Sequence, residues 1–214
     1  MLIITIKQGK EKNLLQRQPW IYASAVERVD GKPAEKMKAG VTALVQSSSE
    51  QFLARAAYNS KSQIRARVWT FDQNEAVDHA MIKRRVQAAV AAHSTLHAGK
   101  AVSPDQPLHL ITGEPEGLPG LLVDWYQAKP GYLVCQFQAA GVDAWKVPIV
   151  QSLMAATGCA NVYERADELV RKGEGLPLVS GALAGDEPPD DLMLVENGVR
   201  FVVDIKTGQK TKFR

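Results

Sequence analysis

Apolar positions along this chain of 214 residues change their spacing at about residue 72, and that change divides the sequence. Before it the apolar runs are short. Leu2-Ile3-Ile4-Thr5-Ile6 and Val41-Thr42-Ala43-Leu44-Val45 are dense in β-branched residues and predict strands, as do Gln51 to Tyr58 and Ile64 to Phe71. In the last of these, Ile64, Ala66, Val68 and Thr70 alternate with Arg65, Arg67, Trp69 and Phe71, so two arginines and two aromatics share one side of the strand. Mixed charges around Leu14 and Leu15, closed by Pro19, predict a short helix between the first two strands. Asp30-Gly31-Lys32-Pro33 and Asn59-Ser60-Lys61-Ser62 supply turns. Several short strands at this spacing predict a small β-barrel over residues 1–72.

From Glu75 to about His97 the period becomes helical, with an apolar stripe through Ile82, Val86, Ala89 and Val90. A loop over Gly99 to Pro107 then leads to strand-like segments at 108–112, 120–125 and 132–138, a helix from about Val142 to Ala156, and a further strand at Asn161 to Glu164. Gly185 to Asp191 reads as an acidic, proline-containing loop. Leu192 to Val195 and Val199 to Ile205 flank Glu196-Asn197-Gly198 and predict a closing β-hairpin, with Asn-Gly at its turn. The expected fold class is α+β: a β-barrel over 1–72, a small α/β domain over 75–190, and a hairpin over 191–214.

Charge follows the same division. Residues 1–72 hold 12 Lys and Arg against 6 Asp and Glu, whereas residues 73–214 hold 14 against 17. A basic block on an acidic body suggests a polyanion, and nucleic acid is the commonest one in the cytosol. The opening apolar run is too short for a signal peptide or a membrane span, so a cytoplasmic location and no membrane contact are expected. The cationic candidates for RNA phosphates are Lys10, Lys12, Arg17, Lys61, Arg65 and Arg67, with Lys7 and Tyr22 nearby. Trp20, directly after Pro19, is expected in the core.

Other chemistry is excluded on detail. His93 and His97 are one helical turn apart but lack an HExxH pattern or a nearby Cys, so no metal site is expected. Gly113-Glu114-Pro115-Glu116-Gly117-Leu118-Pro119-Gly120 carries two carboxylates and precedes a strand where a phosphate cradle needs a helix, so it reads as a structural turn. Gly208-Gln209-Lys210-Thr211 lacks the first glycine of a P-loop. Cys135, mid-strand, has no adjacent base to lower its pKa and reads as a buried thiol, and Cys159 is equally isolated. No catalytic residue is assigned.

As a set, several segments resemble a known family. Gln8-Gly9-Lys10-Glu11 through Pro19-Trp20-Ile21-Tyr22, with Ala57-Tyr58-Asn59 and Ser62 to Val68, looks like the PUA domain that opens the RlmI-type methyltransferases of large-subunit rRNA. Ile111 to Gly120, Leu122-Val123-Asp124, Tyr163 to Asp167 and Val170 to Leu176 resemble their central domain, and Glu196-Asn197-Gly198, Val203-Asp204 and Gly208 to Thr211 resemble the hairpin that follows. The resemblance implies an enzyme that transfers a methyl group from S-adenosylmethionine to cytosine C5 in 23S rRNA. It places the cofactor site and the attacking cysteine in a further Rossmann-like domain beyond Arg214. On that basis this chain is expected to bind RNA, to hold no cofactor and to be inactive alone. The alternatives are an inert or regulatory remnant, or one half of an enzyme completed by a separate catalytic chain. The hairpin's Leu192, Leu194, Phe201 and Val203 are expected to form an exposed apolar patch, open to a second copy or to that catalytic partner.

Overall fold

A computed structural model describes residues 1–96, 107–127, 129–196 and 198–212. The described residues form three sheets, each drawn from one stretch of chain.

The first sheet uses β1 (Leu2–Ile6), β2 (Trp20–Tyr22), β3 (Val26–Asp30), β4 (Val41–Gln46), β5 (Phe52–Tyr58) and β6 (Ile64–Thr70), with short helices α1 (Lys12–Leu15) and α2 (Pro33–Met37) in its connections. Its order is β2-β6-β5-β4-β1-β3, which makes the expected barrel a curled half-barrel. Leu2, Ile4 and Ile6 alternate into its core against Val45, Ala54, Ala56 and Val68, as period-two patterning demands. β2 and β3 escape the sequence pattern for a physical reason: as the two edge strands they bury only Ile21 fully between them, so no alternation marks them.

The central sheet has the order β11-β10-β9-β8-β7, built from β7 (Leu108–Ile111), β8 (Leu121–Tyr126), β9 (Tyr132–Phe137), β10 (Val162–Glu164) and β11 (Gly181–Ala184). Within this sheet, among the described residues, only β9 and β10 pair in parallel, and the crossover between them is helical, as parallel strands require. The single helix expected there is two, α4 (Ala140–Ala144) and α5 (Lys146–Thr157), separated at Trp145. Helix α3 (His79–Leu96) packs beside α5. It starts four residues later than expected, because the Asp78 carboxylate caps it by accepting the Met81 N–H at 2.8 Å. Of the paired histidines considered above, His93 lies on α3, and His97 falls outside the described residues.

Helix α6 (Glu168–Gly173) follows β10 and buries a charge. The Arg171 guanidinium, almost wholly enclosed, donates to the Phe137 carbonyl at 2.6 Å, the Pro177 carbonyl at 2.7 Å and Asp143 Oδ1 at 2.9 Å. Lys146 reaches the buried Glu164 at 2.9 Å and Asp143 at 3.2 Å. Two carboxylates thus meet two cations where isolated charges could not be buried.

The third sheet corrects the hairpin. β12 (Leu192–Glu196) and β13 (Val199–Asp204) pair antiparallel as expected, and β14 (Gln209–Lys212) adds a third strand. One face of this sheet is turned inward, while Met193 and Val195 on the other are exposed. Leu194 and Val203 are buried against Tyr126, Tyr132 and Val134 of the central sheet, with Leu192 packed alongside. Of the four residues expected to recruit a second copy or a catalytic partner, Leu194 and Val203 are therefore covered within the chain, Leu192 partly so, and Phe201 is half-buried. β9 explains how: Leu133, Cys135 and Phe137 face the helices while Tyr132 and Val134 face the third sheet, so both sides of one strand are occupied. No helix among the described residues is long and apolar enough to cross a membrane.

Candidate nucleic-acid interface

The connection from β1 to β2 concentrates free positive charge. Lys7 and Lys10 bracket a turn closed by a hydrogen bond from the Lys10 amide to the Lys7 carbonyl at 2.9 Å. Leu14 anchors α1 in the half-barrel core, which leaves Lys12 on the outer surface. Arg17 ends the helix in left-handed backbone (φ +63°), and its guanidinium lies 5.0 Å from the centre of the Phe71 ring. Among the described residues no carboxylate forms a salt bridge with Lys7, Lys10, Lys12 or Arg17. Four exposed cations on one short segment, against the single carboxylate of Glu11 and free of salt bridges among the described residues, form a surface suited to phosphate oxygens.

The arginine side of β6 has a different fate. Arg67 is only 15% exposed and donates to Glu174 Oε1 at 3.1 Å and, more weakly, to Glu114 Oε1 at 3.5 Å. Its guanidinium also lies 5.3 Å from the centre of the Trp20 ring, whose Nε1 donates to Glu114 at 2.8 Å. Trp20 is thus not a core residue: it remains 39% exposed and serves the junction between the half-barrel and the glycine-rich turn. Glu174 further accepts from Asn59 Nδ2 at 3.0 Å and from Ser62 Oγ at 3.0 Å. Trp69 and Ala57 extend the same junction into the central core, where Gly141 of α4 is wedged against both.

Arg65 is half-buried and donates to the Ser60 carbonyl at 2.8 Å. Lys61 is exposed, but its stem lies across Gly175. The six cations therefore split: Lys10, Lys12 and Arg17 lie together on the β1–β2 connection, whereas Lys61, Arg65 and Arg67 lie at or beside the junction. Glu174 and Asn59 were invisible as a functional pair in the sequence, because 115 residues separate them.

Residues excluded on chemical grounds are placed accordingly. Glu114 to Glu116 form a single 3-10 turn that runs into β8 rather than a helix, and Glu116 accepts from the Thr112 amide and hydroxyl. Its carboxylates and the strand after it do not fit the phosphates of a nucleotide. Cys135 is fully buried, and burial, with the nearby Glu164 and Asp124 charges, pushes its thiol far up. Among the described residues no three His, Cys, Asp or Glu side chains gather as metal ligands.

Residues 4–71 match the model of a PUA-like domain. Ribosomal RNA large subunit methyltransferase I of Aliivibrio fischeri (strain ES114) is 40% identical over 210 residues, which is 98% of this chain and 50% of that protein. The proteins of the same name from Pseudoalteromonas atlantica and from Yersinia pseudotuberculosis serotype O:1b are likewise 40% identical over the same shares. The chain spans about half the length of the curated relatives it matches. Among solved structures, a candidate SAM-dependent methyltransferase of Streptococcus mutans superposes with a TM-score of 0.74 at 13% identity, covering 98% of this chain and 50% of that one. At that identity the likeness shows the shared fold.

Proposed function

From a chain that carries a PUA-like domain and is homologous along nearly its whole length to half of a large-subunit rRNA methyltransferase, we propose that it is the RNA-holding part of such an enzyme. The observation that carries this reading is the exposed, net-positive cluster Lys7, Lys10, Lys12 and Arg17, with Glu11 its one carboxylate, on the PUA-like half-barrel. Lys61 and Arg65 add a second, smaller set of contacts. Arg67 acts by holding the half-barrel against the central sheet. In this reading 23S rRNA is the partner and cytosine C5 the position methylated. S-adenosylmethionine and the reacting groups lie outside these 214 residues, so the chain alone transfers no methyl group. Residues 1–72, 75–190 and 191–214 are its three working parts, a division supported by each sheet drawing its strands from one of them.

A hybrid tests the reading. The chain replaces the matching half of the Aliivibrio fischeri enzyme, and bisulfite sequencing follows the large-subunit rRNA of cells that depend on it. A 5-methylcytosine at the site modified by the parent enzyme is expected. Methylation at another base or atom, or on another RNA, overturns the assignment.

A further inference from the structure

Helices α3 and α5 do not close completely against each other. Between them runs a groove lined on one side by His79, Lys83 and Gln87, at i, i+4 and i+8 of α3, and on the other by Pro148, Gln151 and Ser152. It continues past His79 and Pro148 into a depression bounded by Lys38 and Thr42 of the half-barrel and by Trp145. The two cavities have volumes of about 240 and 450 Å³, of the order of small-ligand sites, which run from roughly 300 to 1,000 Å³.

Its chemistry is specific. Lys38 and Lys83 are exposed and form no salt bridge among the described residues, and the lining contains no Asp or Glu. The carboxylates closest in sequence are occupied: Glu35 accepts from the Met1 amino group and the Lys32 amide, Asp78 caps α3, and Asp143 is held by Arg171 and Lys146. The exposed His79 ring and the half-buried Trp145 ring meet edge to face at 5.2 Å between centroids, placing aromatic surface where the two depressions join. Gln87, Gln151 and Ser152 offer amide and hydroxyl groups beyond them. Separated cations, aromatic faces and neutral hydrogen-bonding groups in one trough match unpaired nucleotides, whose bases stack while their phosphates are neutralised.

We infer that the α3–α5 groove binds a single-stranded segment of the RNA held by the half-barrel, with phosphates at Lys38 and Lys83 and a base against Trp145 and His79. This inference rests on the reading of the chain as an RNA-binding part, and it adds a second site built from other elements than the β1–β2 connection. It makes the chain prefer a stem that continues into unpaired nucleotides.

The test compares a fluorescein-labelled large-subunit rRNA hairpin with the same hairpin carrying a six-nucleotide single-stranded tail, by anisotropy over a series of salt concentrations. The variants are Lys38→Glu/Lys83→Glu, whose side chains are exposed, and Trp145→Phe, which keeps an apolar ring in the core. With the unaltered chain the tail strengthens binding at least fivefold. The double lysine variant loses that gain and leaves the blunt hairpin unchanged, and its salt slope on the tailed hairpin falls by about 1.4, two contacts at roughly 0.7 each on single strands. Trp145→Phe loses part of the gain on the tailed hairpin and leaves blunt-hairpin binding unchanged. A tail that adds nothing, or a gain that survives Lys38→Glu/Lys83→Glu, overturns the groove and leaves the half-barrel reading intact. Tail-dependent binding without blunt-hairpin binding supports the groove and overturns the half-barrel reading; no binding of either probe overturns both.

Discussion

Replacing Glu174 by Ala should loosen the junction between the half-barrel and the central sheet. The Glu174 side chain, 8% exposed, accepts from Arg67 at 3.1 Å, from Asn59 at 3.0 Å and from Ser62 at 3.0 Å. Asn59 keeps its second bond, to the Glu174 backbone carbonyl at 2.8 Å, and Arg67 keeps its weaker contact with Glu114. The guanidinium, however, loses its nearest counter-charge in a largely desolvated place. Breaking a buried pair from one side costs about 3–5 kcal/mol. Arg67 keeps some exposure and some partners, so the lower end applies, about 3 kcal/mol. A chain of this size loses about 2–4 °C of melting temperature per kcal/mol, which gives a fall of about 6–12 °C. Glu174→Gln retains one acceptor oxygen and should fall about half as far. Melting followed by circular dichroism, with the exposed Glu168→Ala as control, reads the difference. A fall of under about 2 °C for Glu174→Ala, matching the control, refutes the idea that this carboxylate holds the junction.

Three further outcomes follow from the packing and charge. In Gly141→Ala the new Cβ would sit 2.6 Å from the Ala57 Cβ and 3.1 Å from the Trp69 ring. It should cost about 1–3 kcal/mol in urea unfolding, and an unchanged midpoint would show the seam to be slack. Cys135 and Cys159 are both buried, so Ellman's reagent at pH 8 should find no rapidly reacting thiol until denaturant is added; a fast native equivalent would place one of them at the surface. Hydrogen bonds from Thr207, then from the Lys206 amide, hold the Asp204 carboxyl below the usual carboxylate range. A depressed folded pKa contributes stability that is present above the unfolded value of about 4 and is lost as pH falls through the folded one. Amide exchange in β13 and β14 should therefore quicken below about pH 4 relative to β8, and an Asp204→Asn chain should not show that step.

Strong periodicity made most of the architecture legible. Leu2, Ile4 and Ile6, the stripe from Ile82 to Ala89, and the Asn-Gly turn each signalled an element that the chain forms. Where burial is sparse the signal failed: β2 and β3 carry one fully buried side chain between them, and α6 is six residues long with a buried arginine. Alternation along β6 correctly grouped Arg65, Arg67 and Trp69 on one side, but it could not say what covers that side. The cover comes from Gly141, Glu114 and Glu174, at least 45 residues further along the chain. The same limit hid the covered face of the third sheet, since Leu194 and Val203 read as exposed until Tyr126 and Tyr132 are placed over them. Lys10, Lys12 and Arg17 lie within one short connection, so the sequence could bring those three together by itself.

The most direct measurement is a salt series of anisotropy titrations of a labelled large-subunit rRNA hairpin with the unaltered chain and with Lys10→Ala/Lys12→Ala/Arg17→Ala. All three side chains are exposed, so the variant should stay folded, losing only the Arg17 contact with the Phe71 ring. With about 0.7 per contact on single strands and 0.9 on duplex, its slope of log K against log salt should be shallower by about 2 to 3. A slope unchanged by the triple substitution, or no binding by the unaltered chain at 50 mM salt, would contradict the assignment of the β1–β2 connection as the RNA interface.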